Sequence, residues 1–360
     1  MHTMHTMHTR DNHTRIPTIF PALALTLTLT LVSTTARAWD YEAHRAINLV
    51  ALDSLPPDMP AFLRSPEARE RIAFLAGEPD RWRNSTDPSL RHINQLDHFF
   101  DIEDLEPARM KFSDLSQFRY IFISELALVR EANPQNFAKI DPAKNKDGTR
   151  AFLGFLPWAI AENYGKLKSA FSYLKAFEEH GGTAEEIAQA RANVLYVMGT
   201  MGHYAGDAFQ PLHITRHFNG WVGDNPNGYA TNRTIHAWID GGFLAKTGGV
   251  ESSSLAVRAK PAARLAATAA DPAGRDPIFV HILACMEAQT PKVEQIYILN
   301  KAGKFNPDNP RSKEGRAFLE DQLLASSKML ADLWLTAFKD AGTDNYLIKH
   351  LEARQAAAAP

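Results

Sequence analysis

The chain has a single cysteine, Cys285, in 360 residues. No disulfide can close within it, and a zinc site built from several thiolates is excluded. Neither sign of charge dominates: 39 Lys and Arg stand against 41 Asp and Glu, a formal net charge of -2. A protein that grips nucleic acid by side-chain charge alone is strongly basic. Any phosphate chemistry here therefore needs positive charge from another source, such as bound metal. Segments that alternate apolar and polar residues between hairpin turns are missing, which argues against exposed strands. A repeat of roughly 20–50 residues is missing too, which argues against a solenoid. The composition, 45% hydrophobic and 22% charged, excludes a disordered chain or a fibre. Histidine is what abounds, with 14 residues.

Residues 1–38 have the order of an export leader. A polar, Arg-containing start with repeated Met-His-Thr triplets precedes an apolar core from Ile16 to Val32, and Ala36-Arg37-Ala38 is a small-x-small cleavage pattern. The apolar core is too short and too Thr-rich for a membrane span. The expectation is a signal peptide over 1–38, cleaved before Trp39, and a secreted or periplasmic protein. Ten of the 14 histidines lie beyond it.

Beyond residue 38 the apolar spacing is helical almost throughout. Ala43, Ala46, Ile47, Val50 and Ala51 form one stripe; Phe118, Ile121, Phe122, Leu126 and Val129 form another. A long helix over 157–180 ends at Gly181-Gly182, and Thr183 opens the next with a capping-box pattern, running to about Phe209. Further helices are expected over 66–76, 231–246, 276–299 and 312–339. The spacing predicts one all-α domain over 39–350 with a disordered tail at 351–360. Two long segments, 98–113 and 214–230, read as loops of the length that often carries function. The Ala-rich stretch 255–273 reads as exposed.

His203 and Asp207 stand four apart and share one helix face. Gly202 and Gly206 immediately precede them and leave room for the close approach of a group or an ion. Pro211-Leu212-His213 then turns the chain and adds another imidazole. His236 and Asp240 repeat the four-residue spacing. One such pair is more often a helix-surface contact. Two of them with a histidine between make a dense set of the nitrogen and oxygen donors that zinc takes.

The string from His203 to His213 resembles the signature of the superfamily of zinc-dependent phospholipases C and zinc-dependent single-strand nucleases, and further matches run from Trp39 to Asp240. The resemblance implies an all-α domain of the phospholipase C/nuclease type with three zinc ions in a cleft. It implies that Asp80, His98, His203 and Asp207 hold one zinc. Trp39, through a free terminal amine and carbonyl, would hold a second with His44, and Asp207 would bridge the two. His213, His236 and Asp240 would hold the third. Cleavage after Ala38 would create the amine that Trp39 needs. Three Zn2+ against three aspartates leave such a pocket at about +3, which answers the need for positive charge. Zinc lowers the pKa of bound water to about 7. The implied chemistry is hydrolysis of a phosphate ester by metal-activated hydroxide, with Asp80 and Asp207 as the catalytic carboxylates.

The five-residue step from Trp39 to His44, and Asp rather than Glu at position 240, resemble the nuclease branch. The lack of disulfides, and of a Gly-Gly-Asn turn between the third-site ligands, departs from it. The expected activity is a zinc phosphodiesterase that cuts single-stranded DNA, RNA or nucleotides, with no obligate protein partner. A phospholipase C acting on phospholipid headgroups is the alternative; a non-catalytic zinc-binding helical module is the third reading. Asp101 and Asn227 are the candidate substrate contacts. The resemblance gives Asp101 a role in holding a base. Phe99, Phe100, Trp221 and Tyr229 are candidate walls for a base or a lipid, and Arg81 is a candidate phosphate contact. His217, four after His213, is a candidate support for the ligands. His92, His180, His281 and His350 fit no pattern.

Overall fold

The computed structural model describes residues 39–266 and 271–358; the leader expected over 1–38 lies outside them. Among the described residues there is no strand, and the fold is all-α. Asp40 caps α1 (Tyr41–Asp53) by accepting the Ala43 N–H. Next come α2 (Pro66–Leu75), α3 (Glu78–Arg83), α4 (Pro88–Gln95) and α5 (Arg119–Ala132). The long helices α6 (Leu156–Glu179) and α7 (Ala184–Asp207) are joined by a tight turn in which Gly181 takes a φ of 81°. That left-handed backbone is natural only to glycine. Thr183 and Glu186 close the expected capping box at the start of α7. Beyond it lie α8 (Ile235–Ala237), a π-helical turn (Trp238–Gly242), α9 (Phe243–Lys246) and α10 (Ser252–Ala256). The last helices are α11 (Pro277–Glu287), α12 (Thr290–Lys301), α13 (Ser312–Lys339) and α14 (Asn345–Ala358).

The hairpin of α6 and α7 is the central layer. Helix α13 packs across α1, α6 and α7, and α2 lies against α1 and α7. Trp39, Ile47, Phe171 and Trp334 are fully buried in the core these helices share. Helix α2 can approach α7 closely because residue 199 is glycine: a Cβ there would sit 2.5 Å from the Leu75 Cβ. The buried Asn48 amide ties the three helices together, donating to Ile72 O at 2.9 Å and Gly199 O at 3.0 Å. No helix among the described residues is long and apolar enough to cross a membrane.

The structure departs from the sequence pattern in four places. The segment 276–299 is two helices, because Pro291 has no N–H to continue α11 and instead occupies the first turn of α12. The segment 231–246 becomes helical only at Ile235 and passes through the π-helical turn. Of the disordered tail expected over 351–360, residues 359–360 lie outside the described ones and 351–358 are helical, forming the end of α14. Its Leu347 and Leu351 are buried against Ala176, and Arg354 pairs with Glu186 at 2.7 Å. The Ala-rich stretch is partly docked. Leu255 is buried, the Ala263 N–H donates to Asp332 at 2.7 Å, and the Leu265 N–H donates to Thr336 at 2.9 Å.

Candidate metal centre

Helix α7 brings the site together. Its last ten residues, Met198 to Asp207, are all buried, the apolar ones in the core and His203 and Asp207 in a shared polar pocket. A Cβ on Gly206 would lie 2.7 Å from His44 Nδ1, so glycine here admits the His44 ring. That ring stacks on His203 with centroids 3.9 Å apart. The Trp39 indole donates to Gly206 O at 3.1 Å, which fixes the start of α1 beside the same helix. The expected terminal-amine role of Trp39 concerns cleavage at residues outside the described ones. Its neighbour Asp40 donates its N–H to Asp240 O at 3.0 Å, so this end of the described chain touches the π-helical turn.

Three sets of donor atoms result: His44, His203 and Asp207; Asp80, His98 and His203; and His213, His236 and Asp240. The eight side chains predicted as ligands are all among them. Asp207 is common ground for several. Its carboxylate lies 3.1 Å from His98 Nδ1, 3.4 Å from His203 Nε2, 3.5 Å from His213 Nδ1 and 3.6 Å from His44 Nε2. In the third set, His236 Nε2 is 3.0 Å from both Asp240 Oδ2 and His213 Nε2. This pair meets even though Asp240 sits on the π-helical turn, a feature frequent at functional sites.

Two backbone carbonyls orient the imidazoles. His203 Nδ1 is 2.7 Å from Ala76 O, and His213 Nδ1 is 2.8 Å from His98 O. A carbonyl can only accept, so each ring carries its proton on Nδ1 and turns the lone pair of Nε2 into the pocket. Ligand histidines are held in this way. The segment after His98 runs beside the segment after His213, with Phe100 N donating to His213 O and Ile102 N to Ile214 O. The acidic loop serves the same junction: Glu103 accepts from Thr215 Oγ1 at 2.5 Å and from Arg216 N at 3.1 Å.

The donor set fits cations. Both nitrogens of His44, Nε2 of His98, Nδ1 of His236 and Oδ1 of Asp207 are buried without a hydrogen-bond partner. Such atoms are costly to bury and rarely cluster. Burial holds His44, His98 and His213 well below the usual imidazole range, so they are neutral and able to ligate. For His203 burial also opposes charge, but the Asp207 and Asp80 carboxylates outweigh it and raise its pKa. Burial raises Asp207 and pushes Asp240 up to about 6. Burial thus opposes the charged form of each carboxylate, and a bound cation would offset that cost.

The sequence reading missed Gln210. Fully buried, it donates Nε2 to Asp240 Oδ1 at 2.8 Å and accepts the Leu212 N–H on Oε1 at 3.3 Å. Its N–H donates to Asp207 O at 3.0 Å and its carbonyl accepts from His213 N at 2.8 Å. One residue therefore ties Asp207, His213 and Asp240 together. Its position between two ligands in the string was the available signal. Helix α13 supports the same turn, with Gln322 Nε2 donating to Phe209 O at 2.9 Å and Ser326 Oγ to Ala205 O at 3.1 Å.

A cleft of about 610 Å3 opens over His98, His213 and His236. Asp101 lines it, and burial, reinforced by Asp104 and Glu103, raises its pKa well above the usual carboxylate range. Arg83 lines it too, its Nε 2.6 Å from Asp80 Oδ1. Arg81 does not: it pairs with Glu78, and its guanidinium lies over the Phe74 ring at 4.6 Å. Asn227 is also elsewhere. Its exposed amide is held by Tyr229 at 3.3 Å and Glu294 at 3.1 Å, and it does not line the cleft. Of the expected aromatic walls, Phe99 lines the cleft, while Phe100 is core and Trp221 and Tyr229 pack with Tyr297 beneath the 214–230 loop. His217 stacks on Trp221 at 4.1 Å, and so supports the loop rather than a ligand.

Comparison with known proteins leaves function to this geometry. No family model matches the chain, and no curated protein matches it at a significant level.

Proposed function

We propose that the protein is an exported zinc-dependent phosphodiesterase of the phospholipase C/nuclease type that hydrolyses single-stranded nucleic acid or nucleotides. The observation that carries this reading is the convergence of three His and Asp sets beside one open cleft, which His98, His213 and His236 line. Their nitrogen and oxygen donors suit zinc, and an accessible face distinguishes a catalytic site from a closed structural one. Asp80, His98, His203 and Asp207 would hold one ion, Trp39 and His44 a second with Asp207 bridging, and His213, His236 and Asp240 a third. When bound, such ions supply Lewis acidity toward a phosphoryl oxygen and make water acidic at neutral pH. The chain's own residues do the rest. Ala76 O and His98 O fix the imidazole tautomers, Gln210 fixes Asp240, and Arg83 holds Asp80 while facing the cleft. Asp101, which lines that cleft, would hydrogen-bond a substrate there.

The test uses purified protein on single-stranded DNA, RNA and phosphatidylcholine, each with chelator and after zinc is restored. The expected result is cleavage of nucleic acid that disappears with chelator and returns with zinc. Cleavage of phosphatidylcholine alone would favour the phospholipase instead. No metal-dependent hydrolysis of any of the three would leave a non-catalytic zinc module.

A further inference from the structure

The loop 214–230 exposes two large apolar side chains, Phe218 and Val222, and only Phe218 lines the cleft. Phe218 is 46% exposed, yet it lines the cleft and meets His236 with ring centroids 5.6 Å apart and planes inclined by 71°. Both of its chain neighbours are tied down. His217 is buried flat on Trp221, and its Nδ1 accepts the Val222 N–H at 3.0 Å. Asn219 accepts the His236 N–H on Oδ1 at 3.4 Å. Tyr297 clamps the loop from below, accepting the Gly220 N–H at 3.1 Å and donating its hydroxyl to His217 O. Gly220 itself has a φ of 106°, and a Cβ there would meet Thr231 O at 2.7 Å, so the turn is locked against its partner segment. The backbone therefore cannot withdraw Phe218 into the core. It presents a half-exposed phenyl ring beside the His213–His236–Asp240 set.

A rigid aromatic ring kept in water at a cleft mouth is suited to stacking, and stacking tolerates any planar ring. The cleft is otherwise largely polar, with Arg83, Asp104, Lys144 and Arg150 in its lining, and its Asp101 suits a group with N–H or O–H partners rather than an acyl chain. We propose that Phe218 is the platform on which the planar ring of the substrate stacks when its phosphate lies at the His213–His236–Asp240 set, so that the cleft prefers phosphate esters of a planar heterocycle over aliphatic ones. This rests on the phosphoesterase reading above and names the feature of the substrate that selects it.

The test is equilibrium binding to the zinc-loaded full chain, by calorimetry, of two probes: adenosine 5′-monophosphate and ribose 5-phosphate. They share the phosphate and sugar, and only the first has a ring. Wild type should bind the nucleotide more tightly. Phe218→Leu should weaken the nucleotide by about tenfold and leave ribose 5-phosphate unchanged, while Phe218→Tyr, which keeps an aromatic face, should retain the preference. An equal effect on both probes, or none on either, would overturn the proposal while leaving the phosphoesterase reading intact. Weaker binding of a short-chain phosphatidylcholine without weaker nucleotide binding would assign the ring to a lipid and overturn it as well. If wild type bound neither phosphate, the phosphoesterase reading would fail first and take this proposal with it. Because Phe218 is half-exposed, the variants should melt within a degree or two of wild type, so lost binding reports the surface and not the fold.

Discussion

Four imidazoles converge on the Asp207 carboxylate, the farthest contact being 3.6 Å from His44 Nε2. Asp207→Asn keeps the shape and removes the charge. Turnover should fall by more than about 100-fold, since even outer partners of metal ligands cost 10–100-fold in affinity or activity. Metal analysis of the variant should show fewer ions per chain; near-wild-type turnover with full metal content would refute the bridging role. Gln210 makes a separate claim. Gln210→Met preserves length and volume but cannot donate to Asp240 Oδ1. It should weaken the most weakly held metal by about 10–100-fold in a chelator competition, with the other ions retained. Uniform loss of every ion would show a folding defect instead. These two residues also mark what sequence can convey. Asp207 was legible because a four-residue step on a helix puts two donors on one face. The contact from Gln210 to Asp240 crosses 30 positions and depends on how the π-helical turn packs. Phe218 was hidden for a similar reason: its exposure follows from the anchoring of its neighbours.

At the level of elements, α14 shows how local pattern and tertiary contact divide the information. Its Ala-rich sequence carries only a weak apolar stripe, so it reads as a tail. Leu347, Leu351 and Arg354 convert it into a docked helix. Glu186 has two roles there, closing the capping box with Thr183 and accepting from Arg354 at 2.7 Å. The Arg354 guanidinium, with the Thr183 N–H, lowers the Glu186 carboxyl from 4.5 to about 2. A carboxyl lowered in the folded state contributes stability above its unfolded pKa and loses it as pH falls through the folded value. Arg354→Met should therefore lower the melting temperature at pH 6, and the difference should vanish by about pH 2. A difference independent of pH would mean that packing, not the ion pair, secures α14. Thr183→Ala removes the other half of the cap and should cost about 1 kcal/mol, read from denaturant unfolding. Helices α1 and α7, which carry side-chain caps, and the long α13 match their sequence patterns closely. The division of 276–299 did not emerge from periodicity, because both halves keep an apolar face and only Pro291 separates them.

Across the whole molecule, residues from 44 to 240 place their ligating atoms in one pocket, and the core is built around that convergence. The near balance of acidic and basic side chains fits a protein whose positive charge is concentrated in bound ions rather than spread over its surface. The buried, unpartnered histidine and aspartate atoms burden the metal-free fold. Chelation should consequently lower the melting temperature, and zinc should restore it with a shift that grows with its free concentration. The most direct measurement is elemental analysis of the purified, processed protein. Three zinc ions per chain are predicted. The absence of any stoichiometric transition metal from active protein would contradict the account.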